Sequence, residues 1–194
     1  MNLEYIFPTP VWSIDFNLDL EKIKSFVLLE KEKYSSRSLS NVGGWQSSDY
    51  TTKDLPDILF GKFFHRAQKH LQECFYTYGV PQKPIIDNIW FNINSQSNYN
   101  KSHFHAGCLL SACFYIQSDE NSGNILFERS SQEDFIISSM FGISQSKLAA
   151  SKWRYSPTPN RLIIFPAWIN HSVEENNSNL ERISMAFNIK GEHV

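Results

Sequence analysis

Between Asp54 and Pro81 the apolar residues Ile58, Leu59, Phe63, Ala67, Leu71, Cys74, Phe75 and Tyr78 recur at helical spacing. Asp54 is the expected N-cap, Pro56 sits near the first turn, and Gly79 with Pro81 ends the segment. An earlier helix is expected from Asp19, as cap, to about Tyr34. Its apolar stripe would be Leu20, Ile23, Phe26, Val27 and Leu29. From Pro84 the period changes to two. Ile89, Phe91 and Ile93 share one face, while Trp90, Asn92 and Asn94 share the other. Further extended runs follow: the histidine-bearing stretch to His105, then Leu109–Gln117, Gly123–Glu128, Asn160–Phe165 and Arg182–Ile189. In the last of these Ile183, Met185 and Phe187 alternate with Arg182, Ser184, Ala186 and Asn188. The apolar set would pack on the helices, and the polar and small set would line a cavity. The opening Tyr5–Asp15 reads as an edge strand, because Pro8 and Pro10 cannot donate to a ladder.

Two helices followed by many short strands, without strand–helix alternation, predict a mainly β fold with flanking helices, best matched by a jelly roll. One domain is expected over residues 1–194, with helical support over about 19–79 and barrel strands over about 84–190. Ser35–Asp49, containing Gly43-Gly44-Trp45, reads as a loop whose tryptophan packs on something. Arg129–Pro159 is a long serine-rich excursion with a short helix expected near Ser144–Ala150. Both are expected as walls or lid of a site entrance, since specificity elements sit on loops above a rigid scaffold.

Composition narrows the partners. The chain is 41% hydrophobic and 14% aromatic, and its formal net charge is -2. No Lys/Arg cluster stands out, so nucleic acid is not an expected partner. No apolar run approaches the roughly 20 residues of a membrane span. Met1–Pro8 lacks the basic start and apolar run of a signal peptide. Cys74, Cys108 and Cys113 are odd in number and not at metal spacing, which suits free thiols in the cytoplasm.

The candidate chemistry begins with His103 and His105. Separated by one residue, they would point to the same side of an extended strand. His171 offers a third imidazole from far downstream. Imidazole suits iron, zinc, copper and nickel alike, so ligand type alone does not choose the metal. Histidines on strands are also common as hydrogen-bonded packing residues, and His65 and His70 on the second helix are read that way. Arg182 follows His171 by eleven residues, and Arg182-Ile183-Ser184 places a guanidinium and a hydroxyl on one strand face. That planar fork matches a carboxylate. The plainer reading is an arginine paired with Asp or Glu on the barrel surface. Cys108 and Cys113 are assigned to packing.

At this point the chain resembles a family. His-x-(Asp/Glu)…His…Arg-x-Ser is the fingerprint of the iron(II)- and 2-oxoglutarate-dependent oxygenases, and more narrowly the chain is similar to a bacterial and phage branch of them. The resemblance rests on Phe7-Pro-Thr-Pro, Ser40-Asn-Val-Gly-Gly-Trp, Trp90-Phe-Asn-Ile-Asn, His103-Phe-His-Ala-Gly, Leu110-Ser-Ala-Cys-Phe-Tyr, Arg161-Leu-Ile-Ile-Phe-Pro-Ala-Trp-Ile-Asn-His and Glu181-Arg-Ile-Ser-Met-Ala-Phe-Asn. It implies a double-stranded β-helix, with His103 and His171 as iron ligands. It also implies that Arg182, helped by Ser184, holds the distal carboxylate of 2-oxoglutarate. Tyr115 and Asn92 are further cofactor-binding candidates on strands facing the same cavity.

The chain departs from the pattern at His105, where the superfamily places a carboxylate. His105 is expected as the third ligand. The competing account puts it outside the coordination shell, with Asp119, Glu128 or water completing the site. The implied activity is a dioxygenase that uses Fe(II), 2-oxoglutarate and O2 to hydroxylate an unidentified small molecule or peptide, releasing succinate and CO2. Two alternatives stand beside it: a three-histidine cupin-like dioxygenase that does not use 2-oxoglutarate, and a non-catalytic jelly-roll binding module.

Overall fold

The computed structural model describes residues 1–130, 132, 134 and 146–192. Two antiparallel sheets face each other. The six-stranded sheet runs β1 (Trp12–Asp15), β9 (Arg161–Pro166), β6 (Leu110–Gln117), β11 (Arg182–Gly191), β4 (Pro84–Asn94) and β3 (Trp45–Gln46). The five-stranded sheet runs β2 (Asn41–Val42), β5 (Tyr99–His103), β10 (His171–Val173), β7 (Ile125–Glu128) and β8 (Lys152–Tyr155). Helices α1 (Leu20–Lys33) and α2 (Asp57–Thr77) cover the outer face of the larger sheet. This is the expected helix-supported jelly roll.

The period-two pattern is what separates the layers. Ile89, Phe91 and Ile93 of β4 and Ile183, Met185 and Phe187 of β11 enter one core with Ile23, Val27, Phe60, Phe63 and Leu71 of the helices. A second, smaller core of Ile125, Phe127, Ile163, Phe165 and Ile169 sits between the sheets. Phe63 is the hub of the first core. Its ring meets Phe114 at 4.7 Å, Phe16 at 5.0 Å and Phe187 at 6.0 Å between centroids.

Several expectations need correction. The first strand is only Trp12–Asp15, and it lies at the sheet edge as predicted; residues 1–9 are exposed. In α1, Leu29 faces solvent, and Glu30 is buried where Tyr50 Oη donates to its Oε2 at 2.5 Å. Helix packing follows rotation angle rather than hydrophobicity, and at this angle the carboxylate could be satisfied inside. The N-cap of α2 is Pro56, not Asp54, which instead accepts from Thr51 N and Oγ1 in the preceding turn at 2.6 and 2.7 Å. Phe60, not Ile58, begins the buried stripe of α2; Ile58 is 93% exposed. The Ser35–Asp49 loop contains β2 and β3, and Trp45 packs into the helix-side core with Nε1 donating to Tyr34 O. The excursion contains β8, paired with β7. The helix expected near 144–150 falls partly outside the described residues; residues 146–149 form a turn.

These corrections make a stability test. Phe63→Ala should cost about 3–5 kcal/mol, because it removes a fully buried ring. Ile58→Ala should stay within about 0.5 kcal/mol. Urea unfolding of the two variants checks both; equal losses would contradict the stripe assignment.

Candidate metal centre

A cavity of ≈ 690 Å³ opens between the sheets. Its floor is the polar face of the larger sheet, laid out in rows by ladder register. Arg182 lies opposite Asn94; Ser184 lies between Asn92 and Tyr115. Next, Ala186 lies between Trp90 and Cys113, and Asn188 between Asn88 and Ser111. Facing this floor, the smaller sheet contributes His103 and His171, which are direct cross-strand partners.

His103, His105 and His171 converge. Their ligand atoms all lie within 4.8 Å of one another, a group that could hold a metal ion. The strand picture drawn for His103 and His105 needs one correction. His103 is the last residue of β5, and His105 lies beyond the strand, held by its backbone N–H donating to Ala167 O at 2.8 Å. A register shift in β5 just before His103 accompanies the pairing with β10. Such irregularities re-aim side chains near sites. The three rings still meet, with centroids 5.1, 4.3 and 5.1 Å apart.

Hydrogen bonding selects the free nitrogen on two of them. Nδ1 of His103 lies 2.7 Å from Lys101 O, and Nδ1 of His171 lies 3.0 Å from Ile169 O. A carbonyl only accepts, so each Nδ1 carries the proton and each Nε2 keeps its lone pair for a ligand. Burial lowers all three imidazole pKa values, to about 4 for His105 and to about 3 for His171, with the neighbouring histidines adding to both. Neutral imidazole is the form that binds metal. The plainer candidates for a carboxylate ligand are engaged elsewhere: Asp119 with Ser178 and Ser122, Glu128 with Ser102 and Lys152.

The row beyond the histidines carries an uncompensated charge. Arg182 is 2% exposed, and among the described residues no carboxylate pairs with it. Its Nη1 donates to Ser122 O, to Glu174 O at 3.1 Å and to Gly123 O at 3.4 Å, while its buried Nη2 has no partner. Burial lowers the guanidinium pKa. Tyr115 Oη is likewise buried without a partner, and desolvation holds its phenol well above the ordinary value, so it remains a donor. Asn92 Oδ1 is a third such atom. Asn92 Oδ1 is an acceptor and calls for a donor, whereas the buried Arg182 cation beside the unpartnered Tyr115 hydroxyl calls for an anion. A carboxylate entering the cavity fits these residues, and a divalent cation fits the three neutral imidazoles beside them.

The family model described as "Putative 2OG-Fe(II) oxygenase" matches residues 88–188, more than half of the chain. The chain belongs to the 2-oxoglutarate- and Fe(II)-dependent oxygenases. This membership decides for the oxygenase over the cupin-like and non-catalytic alternatives. No curated protein matches it in sequence. Among solved structures, the oxygenase resembles a prolyl-4-hydroxylase from Pseudomonas putida, at TM-score 0.63 and 8% identity over 94% of this chain and 93% of that one. It also resembles a viral collagen prolyl hydroxylase from Paramecium bursaria Chlorella virus-1 solved with 2-oxoglutarate, at 0.62 and 12% over 94% and 96%. A third is HygX from Streptomyces hygroscopicus with nickel, 2-oxoglutarate and hygromycin B, at 0.57 and 10% over 94% and 83%. At these identities the likeness is one of fold.

Other expected features of the oxygenase divide. Ser184 and Asn92 line the cavity, as expected; Cys113 packs against the smaller core, as expected, and also borders the cavity, where burial pushes its thiol up to about 11. His65 and His70 stay outside the site on α2. The wall contributed by the Ser35–Asp49 loop is Arg37–Ser40, Gln46 and Asp49 rather than Gly43 and Gly44, and no described residue of 129–159 lines the cavity. Arg37 and Asp49 pair at 2.8 Å. Their separation in sequence offered no signal for that wall. No described helix is long and apolar enough to cross a membrane.

The imidazole shifts set a pH dependence. In the unfolded chain each histidine titrates near its ordinary 6.5, whereas the folded site stays neutral to about 4 at His105 and about 3 at His171. Between those limits the unfolded state binds more protons. Metal-free protein should therefore lose stability as pH falls from 6.5 toward 4, and His105→Gln should flatten that slope. Urea midpoints across this range check it; an unchanged slope in the variant would contradict the burial argument.

Proposed function

We propose that this oxygenase holds its iron through His103, His105 and His171. Arg182, with Ser184 and Tyr115, would anchor the distal carboxylate of 2-oxoglutarate, and Asn92 would flank it. The reaction would be hydroxylation of a C–H bond on a small molecule or peptide. The observation that carries this reading is the unpaired Arg182 guanidinium, buried beside the unpartnered Tyr115 hydroxyl in the same cavity as the three histidines.

When bound, iron and 2-oxoglutarate supply the oxidation: O2 puts one oxygen on the substrate C–H carbon and the other into succinate, with release of CO2. The residues supply binding and orientation. Lys101 O and Ile169 O hold two rings in the tautomer that presents Nε2. Arg182 offers Nη2 and Tyr115 its Oη as charge-assisted and neutral donors. Trp90 lies against His105, at 5.5 Å between ring centroids, and Phe165 against His171 at 4.7 Å. These rings wall two of the three imidazoles. Three histidines leave a metal site with no negative charge of its own, which suits a dianionic cosubstrate. The unpaired cysteines Cys74, Cys108 and Cys113 fit a reducing compartment such as the cytoplasm.

Anaerobic titration with Fe(II) and then 2-oxoglutarate tests the assignment through the visible charge-transfer band of the chelate. His171→Ala should abolish metal binding. Tyr115→Phe, which removes one oxygen, should weaken 2-oxoglutarate binding about tenfold, and Arg182→Lys roughly 10- to 100-fold with iron still bound. Full iron occupancy in His171→Ala would overturn the ligand set, and unchanged 2-oxoglutarate affinity in Arg182→Lys would overturn the anchor.

A further inference from the structure

The row at the far end of the floor is not used by the metal or the carboxylate anchor. Asn188 is buried, its Nδ2 donates to Asn88 Oδ1 at 3.0 Å, and its Oδ1 has no partner. Asn88 Nδ2 donates to no described residue. The pair therefore keeps one acceptor and one donor unused, on two residues that both line the cavity. Exchanging the O and N of both carboxamides leaves that pattern intact with the roles swapped, so it does not depend on how either amide is assigned. The adjacent Ser111 hydroxyl is buried and reaches only Phe187 O, at 3.5 Å.

Position matters as much as chemistry. Along β11, Asn188 is six residues from Arg182, roughly 20 Å at strand spacing. Between them lies the Ala186 row, where Trp90 rests against His105. His171 in turn rests against Phe165, which lies opposite Ser111 in the row of Asn188 itself, so the histidines sit over the Ala186 and Asn188 rows. A molecule held at this row would lie beside the histidines, at the other end of the floor from Arg182. The ladder is also built for this row, since the register of β4 against β11 shifts immediately beyond Asn188. That shift places an extra residue, Asp87, next to Asn88.

We propose that Asn88 and Asn188, with Ser111 beside them, form the substrate-recognition subsite, and that it takes an amide group. An amide carries both an N–H for the acceptor and a C=O for the donor, whereas an ester or a carboxylate lacks the N–H. A buried acceptor left unpaired discriminates strongly against such analogues. The amide could belong to a peptide backbone or to a small carboxamide. The inference rests on the metal and cosubstrate reading above.

The test uses wild-type protein loaded anaerobically with Fe(II) and 2-oxoglutarate, and follows the charge-transfer band as probes are added. One arm compares N-acetyl-trialanine N-methylamide with its depsipeptide, in which an ester replaces one amide. The other compares L-asparagine with L-aspartate β-methyl ester. The amide probes should perturb the band at concentrations about tenfold lower than their esters, and the arm that responds identifies the source as peptide or small carboxamide. Asn188→Leu and the milder Asn88→Ser, each confirmed folded by thermal melting, should lose that preference. A band that forms but responds equally to amides and esters, or to neither, would overturn the subsite while leaving the metal reading intact. Absence of the band in wild-type protein would overturn both.

Discussion

The alternation of side chains along one central strand governs this molecule. β11 has β4 on one side and β6 on the other, so both of its faces are committed. Its apolar residues meet the two helices, and its polar residues pave the cavity. A slip of one residue would bury Arg182 among phenylalanines and turn Phe187 toward the histidines. Stability and chemistry are therefore set by the same register, and neither can be altered there alone.

Burial without compensation is the second organising feature. The helix-side core tolerates the buried carboxylate of Glu30 because Tyr50 and Lys33 satisfy it. The cavity does the opposite. Arg182, Tyr115, Asn92 and Asn188 each keep a buried polar atom without a partner, and all four line one space. Such atoms are costly in a folded protein, and their concentration on one wall marks it as a surface made for ligands.

Much of this was legible in the residues. The period of two exposed the polar face of β11 and the Trp90–Asn94 face of β4, and the singled-out His103, His105, His171 and Arg182 all line one cavity. The less legible parts depend on contacts distant in sequence. His105 leaves its strand because its backbone bonds to Ala167, sixty-two residues away, and the fragment around it carries no trace of that partner. Leu29 and Ile58 look as buried as their neighbours by composition; only the docking angle of each helix turns them outward. The Arg37–Asp49 wall depends on a loop that crosses between sheets, and its polar sequence resembles any surface loop.

That crossing has a geometric consequence. Val42 belongs to the smaller sheet and Trp45 to the larger, and only Gly43 and Gly44 lie between them. Three backbone steps span at most about 10 Å, which is the usual separation of stacked sheets. Gly43, at φ +81°, holds a left-handed conformation that favours glycine, and at Gly44 a Cβ would stand 2.7 Å from the backbone oxygen of Ile93. The glycine pair is thus a strut of fixed length, and it sets the gauge of the cleft at that edge. Inserting a residue there would widen the gap between the two halves of the site rather than lengthen a loop.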